Sequence, residues 1–211
     1  MSWIHTQMKP VKECEENPVY PLSSIYQDIN WVASGGTKHA ALMACAMICA
    51  YDIKTVVEIG LMYGFTTQIL SKALATNAMD DGLLVSCDIC GNRAKRTYQL
   101  TKDLPIKHVR VEADSIKVRW SDYLEGRKIG LAFIDGDHTY ENAIGDMLNC
   151  YDLLDDNGIM IVHDYSPNAH PYVFTAVNEF IARYNPPWFF LPENRISTDY
   201  RTAILQKRKF K

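Results

Sequence analysis

The side chains best suited to chemistry fall in two short segments of the sequence. Each segment follows an apolar run that is predicted to be a strand, and the two strands are expected to be neighbours, so both segments should meet at one edge of a sheet. Several carboxylates and imidazoles in one cleft favour a bound cation or ligand that offsets their mutual repulsion. The segments are Phe133-Ile134-Asp135-Gly136-Asp137-His138-Thr139-Tyr140-Glu141 and His163-Asp164-Tyr165.

Asp135, His163 and Asp164 are candidate ligands for a divalent metal. Carboxylate oxygens favour Mg²⁺ or Mn²⁺, whereas an imidazole shifts the preference toward Mn²⁺, Fe²⁺ or Zn²⁺. Such an ion would lower the pKa of a substrate hydroxyl, and Asp137 or His138 could then accept its proton. The alternatives are that Asp-Gly-Asp forms a plain turn and that His138 caps the following helix.

A glycine-containing turn follows the first predicted strand. The dinucleotide fingerprint G-x-G-x-x-G lets a pyrophosphate approach the backbone, but here the spacing is Gly60-x-x-x-Gly64, with Met62 between. Glu58, just before the turn, would also repel a pyrophosphate. S-adenosylmethionine has no phosphate and carries an ammonium and a sulfonium, so it suits this turn better, and an NAD-dependent oxidoreductase is least favoured. The alternative is a tight turn with Glu58 as a helix cap.

Two further polar positions follow predicted strands. Asp88 ends the second strand, 28 residues after Gly60, where an acidic side chain accepts hydrogen bonds from ribose hydroxyls. Asp114 and Ser115 follow the third strand, in a position to meet an adenine ring, although Asp114 also suits a helix N-cap.

The elements that would position these residues alternate between strand and helix, which predicts an α/β fold. We expect a Rossmann-like, doubly wound, seven-stranded, mostly parallel sheet with the last strand antiparallel. Residues 1–34 are predicted to form an irregular cap, and 35–211 the domain. The predicted strands are 55–59, 83–87, 108–112, 129–134, 159–162, 188–191 and 201–206, and the helices include 35–51, 92–102, 115–124 and one from Tyr140 that ends at 156–158.

Length and composition limit the function. A chain of 211 residues suits one domain, and the net charge of −3 argues against nucleic-acid partners. No apolar run approaches the roughly 18 residues of a membrane span, and the start lacks a secretion-signal pattern, so a cytoplasmic protein is expected. Cys87 and Cys90 have no second pair to complete a zinc site, and the six cysteines are interpreted as mostly buried small residues.

Taken together, Glu58-Ile-Gly-x-x-x-Gly-Phe-Thr, Asp88, the segment 133–141 and Ile161-Val-His-Asp-Tyr resemble class I S-adenosylmethionine-dependent methyltransferases. The branch is the small-domain one related to catechol-type and sugar O-methyltransferases, and the resemblance covers residues 35–206. It implies that the ribose meets Asp88. It also implies that Glu58, Gly60 and Thr66 surround the methionine end of the cofactor and that Asp114 meets the adenine. Tyr63, Ser115 and Asp135 are further candidate cofactor-binding residues.

In the metal-dependent members of that family, the first aspartate after strand four and an Asp-Asp or Asp-Asn pair after strand five hold Mg²⁺. Asp135 and Asp164 match this pattern, while His163 replaces the other member of the pair. The general base of these relatives falls at Asp137 or His138, and the sequence does not decide between them.

The function predicted from the sequence is O-methylation of a small hydroxylated acceptor, with possible assistance from a metal. The alternatives are a non-catalytic cofactor-binding interaction protein, and a metal-dependent hydrolase or hydroxylase that uses the Asp/His cluster. No nucleic-acid or membrane partner is expected, and a homo-oligomer is left open. Candidate acceptor-pocket residues are Trp3, Tyr26, Trp31, Met62, Tyr63, Tyr165 and His170.

Overall fold

The structure, a computed structural model, describes residues 37–192 and 201–208. The predicted cap of residues 1–34 therefore lies outside the described residues. The same holds for three of the candidate acceptor-pocket residues, Trp3, Tyr26 and Trp31.

Helices and strands alternate along the chain as the sequence pattern predicts. The helices are α1 (Thr37–Ala50), α2 (Phe65–Ala78), α3 (Gly91–Thr101), α4 (Tyr140–Leu153) and α5 (Pro171–Tyr184). The strands are β1 (Thr55–Ile59), β2 (Leu83–Asp88), β3 (Lys107–Glu112), β4 (Ile129–Ile134), β5 (Leu154–Val162), β6 (Trp188–Pro192) and β7 (Arg201–Gln206).

The seven strands form one sheet in the order β3-β2-β1-β4-β5-β7-β6. All neighbouring pairs from β3 to β5 are parallel, and β7 runs antiparallel to both β5 and β6. This architecture confirms the predicted doubly wound sheet with an antiparallel last strand. The strand order reverses at β1, which pairs with both β2 and β4, and open α/β sheets bind ligands at such a reversal, outside the carboxyl ends of the strands.

The sheet is covered by apolar side chains on both faces. One core cluster joins the sheet to α4 and α5 and includes the fully buried Trp120, Met147 and Phe180. The other joins it to α1 and α2 and includes Ile48 and Leu70. Each such side chain contributes roughly 1.5–3 kcal/mol through burial, so the two clusters hold the strand ends in fixed positions.

Local capping explains where the helices beside the carboxyl edge begin and end. The Thr139 hydroxyl accepts a hydrogen bond from the backbone N–H of Asn142 and so caps the start of α4. Pro171 occupies the first turn of α5, and that helix ends at Tyr184, followed by Asn185, whose φ of 44° is left-handed.

Two boundary predictions were wrong. Residues 115–124 form two short 3₁₀ turns, Ser115–Lys117 and Trp120–Asp122, because Val118 between them adopts an extended conformation. Helix α4 ends at Leu153 rather than at 156–158, and β5 begins at Leu154 instead of residue 159. Leu154 fits the apolar spacing of α4 because it is apolar and buried, but the structure places this residue in β5. Within the described ranges, no helix is long and apolar enough to cross a membrane.

Candidate active site

The turn after β1 packs tightly against the turn after β4. Gly60 has a φ of 88°, and a Cβ atom built on it would lie 1.9 Å from the carbonyl oxygen of Asp135. The backbone N–H of Asp135 also donates to the carbonyl of Ile59 at 2.9 Å. Only glycine fits this position, since both the backbone conformation and the close approach exclude a side chain. Gly60 thereby fixes Asp135 beside the end of β1.

Asp88 organises the same turn from the end of β2. Its Oδ2 accepts hydrogen bonds from the backbone N–H groups of Leu61 (3.0 Å) and Met62 (3.3 Å), and its Oδ1 accepts one from Cys90 (2.8 Å). Arg93 lies 3.4 Å from Oδ2. A carboxylate oxygen has two acceptor sites, so Oδ1 retains one for a further donor. The predicted ribose contact can therefore use only that remaining site.

Three large apolar side chains are exposed along this rim. Met62 and Tyr63 lie on the turn after β1 and are 59% and 51% exposed, and Ile89, directly after Asp88, is 74% exposed. Ile89 was missed by the sequence analysis, although an apolar residue next to a strand-end acid was a readable signal. A flat apolar ligand would find its contact surface here. Thr66 is instead almost buried, in the first turn of α2.

Glu58 faces the interior beside β2 and α2. It is 0% exposed, and its two carboxyl oxygens contact the hydroxyls of Thr67 (2.9 Å) and Ser86 (2.8 Å). Burial raises the pKa of Glu58 from 4.5 to about 8, although both hydroxyls act in the opposite direction. The alternative of a helix cap is not what the structure shows, because the partners of Glu58 are side-chain hydroxyls.

The residues after β3 contribute less to the predicted cofactor site than the sequence indicated. Asp114 is partly exposed and pairs with Lys117, with 2.8 Å between Oδ2 and Nζ, and its side chain forms no helix-cap hydrogen bond. Behind it, on α4, lies Asp146, which is 1% exposed. The carboxyl oxygens of Asp146 are buried, and the Ser115 side chain is the hydrogen-bonding group beside them. Burial raises the pKa of this carboxyl from 3.8 to about 7.

The residues after β4 and β5 form one cluster, as expected from neighbouring strands. The Nδ1 atom of His163 lies 3.3 Å from Asp135 Oδ1 and 3.1 Å from Asp164 Oδ2. Asp164 has a left-handed φ of 56°, a conformation that non-glycine residues adopt rarely and often at functional sites. Burial acts to raise the pKa of Asp164, but the contacts with His138 and His163 outweigh it and hold the pKa well below its ordinary range.

His138 joins this cluster from the turn before α4. Its Nε2 atom lies 2.9 Å from Asp164 Oδ2, and the contact raises the pKa of the imidazole. His170 packs against it, with 4.2 Å between ring centroids, and its Nε2 lies 3.6 Å from Asp164 Oδ1. His138 does not cap α4, because Thr139 does so. Its side chain is 42% exposed and is therefore accessible to a ligand.

Asp137 points to the start of α4 instead. Its Oδ2 accepts hydrogen bonds from the side chains of Thr139 (3.0 Å) and Asn142 (2.6 Å). Slight burial would raise the pKa of Asp137, but these hydrogen bonds outweigh it and lower the pKa. A carboxylate held in this way is a weak proton acceptor.

Two overlapping sets of side chains have the geometry to hold a cation, and both include Asp164. One set is His138, Asp164 and His170, the other is Asp135, His163 and Asp164, and the ligand atoms within each set lie within 4.8 Å of one another. The mixture of imidazole and carboxylate donors fits Mn²⁺, Fe²⁺ or Zn²⁺ better than Mg²⁺. The predicted metal residues are thus brought together.

The predicted carboxylates occupy the ends of four adjacent strands, β2, β1, β4 and β5, in that spatial order. Asp135 and Asp164 are partly accessible, whereas Glu58 and Asp88 are buried with internal partners. The rim that a ligand would meet is therefore formed by backbone, exposed apolar side chains and the Asp/His cluster.

Comparisons with known proteins identify a family and a shared fold. A family model described as a methyltransferase domain matches residues 57–165, which include Asp135, His138, His163 and Asp164. No curated protein sequence matches the chain significantly.

Several solved structures share the fold. An O-methyltransferase from Bacillus cereus in complex with SAH has a TM-score of 0.63 at 13% identity, covering 84% of each chain. The TDP-rhamnose 3'-O-methyltransferase CalS11 of calicheamicin biosynthesis has a TM-score of 0.64 at 15% identity, covering 80% of this chain and 79% of that one. The N-methyltransferase NodS from Bradyrhizobium japonicum has a TM-score of 0.62 at 13% identity, covering 82% and 97%.

The matched segment is more than half of the chain and contains the turn after β1, Asp88, Asp135 and Asp164. The chain therefore belongs to the methyltransferase domain family.

Proposed function

We propose that this methyltransferase transfers the methyl group of S-adenosylmethionine to a hydroxyl of a small acceptor molecule. The observation that carries the proposal is the pair formed by His138 and Asp164, 2.9 Å apart and partly open at the carboxyl edge of the sheet. An imidazole oriented by a carboxylate is a suitable base for a hydroxyl.

The cofactor is proposed to bind across the reversal of strand order. Its methionine end would lie at the turn containing Gly60 and Tyr63, near Glu58 and Thr66. The ribose would use the remaining acceptor site of Asp88. The adenine would lie between Ile89 and the segment of Asp114 and Ser115, because Ile89 offers an exposed apolar surface for a flat ring.

His138 is proposed to take the acceptor proton in preference to Asp137. Nε2 of His138 lies 2.9 Å from Asp164 Oδ2, and the proposal places the hydrogen of the neutral ring on Nε2, which leaves Nδ1 as the acceptor. As the acceptor oxygen forms a bond to the methyl carbon, the carbon–sulfur bond breaks. The hydroxyl proton then passes to Nδ1 of His138, giving a methyl ether and S-adenosylhomocysteine.

A divalent metal fits the donor set of the cluster. Asp135, His163 and Asp164 would hold it, and the ion would supply Lewis acidity that lowers the pKa of a bound hydroxyl. His170 would remain beside His138 as part of the acceptor pocket, together with Met62 and Tyr63.

Family membership favours methyl transfer over the two alternatives, a cofactor-binding interaction protein and a metal-dependent hydrolase or hydroxylase. The fold alone leaves the acceptor atom open, since NodS is an N-methyltransferase. A hydroxyl is favoured here because an amine near neutral pH can lose its proton without a base, whereas a hydroxyl benefits from the imidazole of His138.

The test is incubation with methyl-labelled S-adenosylmethionine and a panel of a catechol, a simple phenol, a nucleotide sugar and a primary amine. Label should appear on a hydroxylated compound. His138→Gln should then lower kcat by roughly 10²–10⁴-fold, the usual contribution of a positioned base. Asp137→Asn is the matched control at the adjacent residue and should change kcat less than about tenfold.

Equal losses of kcat in His138→Gln and Asp137→Asn would show that His138 is not the base. Transfer only to the amine would refute the proposed acceptor class. No transfer to any compound, together with no S-adenosylhomocysteine binding by calorimetry, would refute the function as a whole.

A further inference from the structure

A chain of hydrogen-bonding side chains runs through the interior from Glu58 to β3 and α3. One carboxyl oxygen of Glu58 contacts the Thr67 hydroxyl at 2.9 Å, and the other contacts the Ser86 hydroxyl at 2.8 Å. Ser86 Oγ in turn lies 3.0 Å from Nε2 of His108, on β3. Glu58, Thr67 and Ser86 are all 0% exposed, so the contacts form away from solvent.

The chain continues to the last residue of α3. Nδ1 of His108 lies 2.8 Å from the hydroxyl of Thr101, and this hydroxyl lies 3.0 Å from the carbonyl oxygen of Thr97. Thr101 is 2% exposed. Five consecutive contacts of hydrogen-bond length therefore join Thr67 to the carbonyl of Thr97.

Each of these five contacts needs one hydrogen atom. With Glu58 ionised and His108 neutral, the three hydroxyls and the imidazole supply four. The carbonyl at the end supplies none. The five hydrogen bonds can all form only if one more proton is present, either on the Glu58 carboxyl or on the second nitrogen of His108.

Burial and neighbouring charges decide between the two positions. Burial raises the pKa of Glu58 to about 8 and outweighs the hydroxyls of Ser86 and Thr67, which lower the pKa when they donate to the carboxylate; the carboxylates of Asp135 and Asp88 add to the increase. Burial lowers the pKa of His108 to about 4, and the neighbouring guanidinium of Arg110 lowers it further. The additional proton therefore belongs on Glu58, which then donates to Ser86, while Ser86 donates to His108 and His108 to Thr101.

We propose that Ser86, His108 and Thr101 are positioning residues that keep Glu58 protonated in the cofactor-free protein, and that binding of cationic S-adenosylmethionine releases this proton. The inference rests on the proposed cofactor position beside Glu58. A nearby positive charge favours the ionised carboxyl. Glu58 then becomes a buried anion two residues before the turn at Gly60, and the affinity for the cofactor depends on residues that never touch it.

Isothermal titration calorimetry of S-adenosylmethionine at pH 7, in two buffers of different ionisation enthalpy, measures this proton directly. The wild-type protein should release close to one proton per bound cofactor, because Glu58 is mostly protonated before binding. The dissociation constant should fall by up to tenfold per pH unit between about pH 6 and 7.5 and level off above pH 8, where Glu58 is already ionised.

Thr101→Val is the informative variant, because it removes two of the contacts but only one hydrogen atom. The three remaining contacts are then satisfied by Thr67, Ser86 and neutral His108 with Glu58 ionised. The variant should release clearly less than one proton on binding at pH 7. Thr101→Ser retains the hydroxyl and should behave as the wild type.

Glu58→Gln provides a second test that does not depend on α3. The amide supplies Ser86 with the hydrogen that the carboxylic acid supplies, so the folded protein should persist without proton release on binding. Cofactor binding by the wild type with no proton exchange would overturn this inference and leave the methyltransferase function standing, as would a Thr101→Val variant with unchanged proton release. Absence of any cofactor binding would instead contradict the proposed function.

Discussion

Gly60→Ala is expected to be among the most damaging small substitutions in the chain. The added Cβ would lie 1.9 Å from the carbonyl oxygen and 2.6 Å from the carbonyl carbon of Asp135. A left-handed φ costs a non-glycine residue about 1–2 kcal/mol, and overpacking costs about 1–3 kcal/mol more. The sum, about 2–5 kcal/mol, is a large part of the 5–15 kcal/mol typical of a folded domain.

The assay is urea unfolding, with Gly126→Ala as the matched control. Gly126 also has a left-handed φ, 76°, but its Cβ would meet nothing within 4 Å. Gly126→Ala should therefore lower the free energy of unfolding only by the conformational cost, about 1–2 kcal/mol. Equal free energies of unfolding for the two variants would refute the reasoning, because the contact between the turns after β1 and β4 would then have no energetic consequence.

Three further outcomes are expected. Asp146→Asn should stabilise the protein relative to wild type by up to roughly 4 kcal/mol at pH 8 but little at pH 4, because each unit by which the pKa of Asp146 is raised is worth about 1.4 kcal/mol. The raised pKa of Asp146, about 7, makes wild-type stability fall as pH rises from about 4 to 7; a pH-independent difference in urea midpoints would contradict this. Asp88→Asn should lower the free energy of unfolding by about 1–3 kcal/mol, since one amide oxygen cannot replace two carboxylate oxygens that accept three backbone N–H groups. The control is Asp81→Asn at an exposed position. Equal losses of stability in the two variants would count against the role of Asp88. Mn²⁺ should raise the Tm of the wild type but not of Asp164→Asn, in which asparagine tolerates the left-handed backbone; no shift in the wild type would argue against a metal.

The sheet was predictable because its strands carry a strong local signal. The run from Ile129 to Ile134 is apolar at almost every position, as a parallel strand covered on both faces must be. Turn residues then mark where each strand ends. Since parallel strands direct their carboxyl ends to one edge, the meeting of Asp135 and Asp164 followed from the sequence alone.

The burial of Glu58 and Asp88 could not be predicted from their positions at strand ends. A strand-end carboxylate can face solvent or the interior, and the choice depends on partners from distant segments. For Glu58 these are Thr67 and Ser86, and for Asp88 they are the backbone amides of a turn 26–27 residues earlier. The preference for His138 over Asp137 has the same origin, because Asn142 engages Asp137 only once α4 has formed.

The prediction of a helix over residues 115–124 was wrong for a different reason. Its composition permits a helix, but Trp120 is buried in the core at 1% exposure, and this packing divides the segment into two short turns. Tertiary contacts of this kind override local propensity.

The central claim is that the carboxyl ends of β2, β1 and β4 form the cofactor site, and a crystal structure with S-adenosylhomocysteine tests it most directly. The nucleoside should lie across these strand ends, with its ribose at Asp88, its adenine against Ile89 and its amino-acid end over the turn at Gly60. A nucleoside bound elsewhere on the molecule, or crystals that take up none at saturating concentration, would contradict the account.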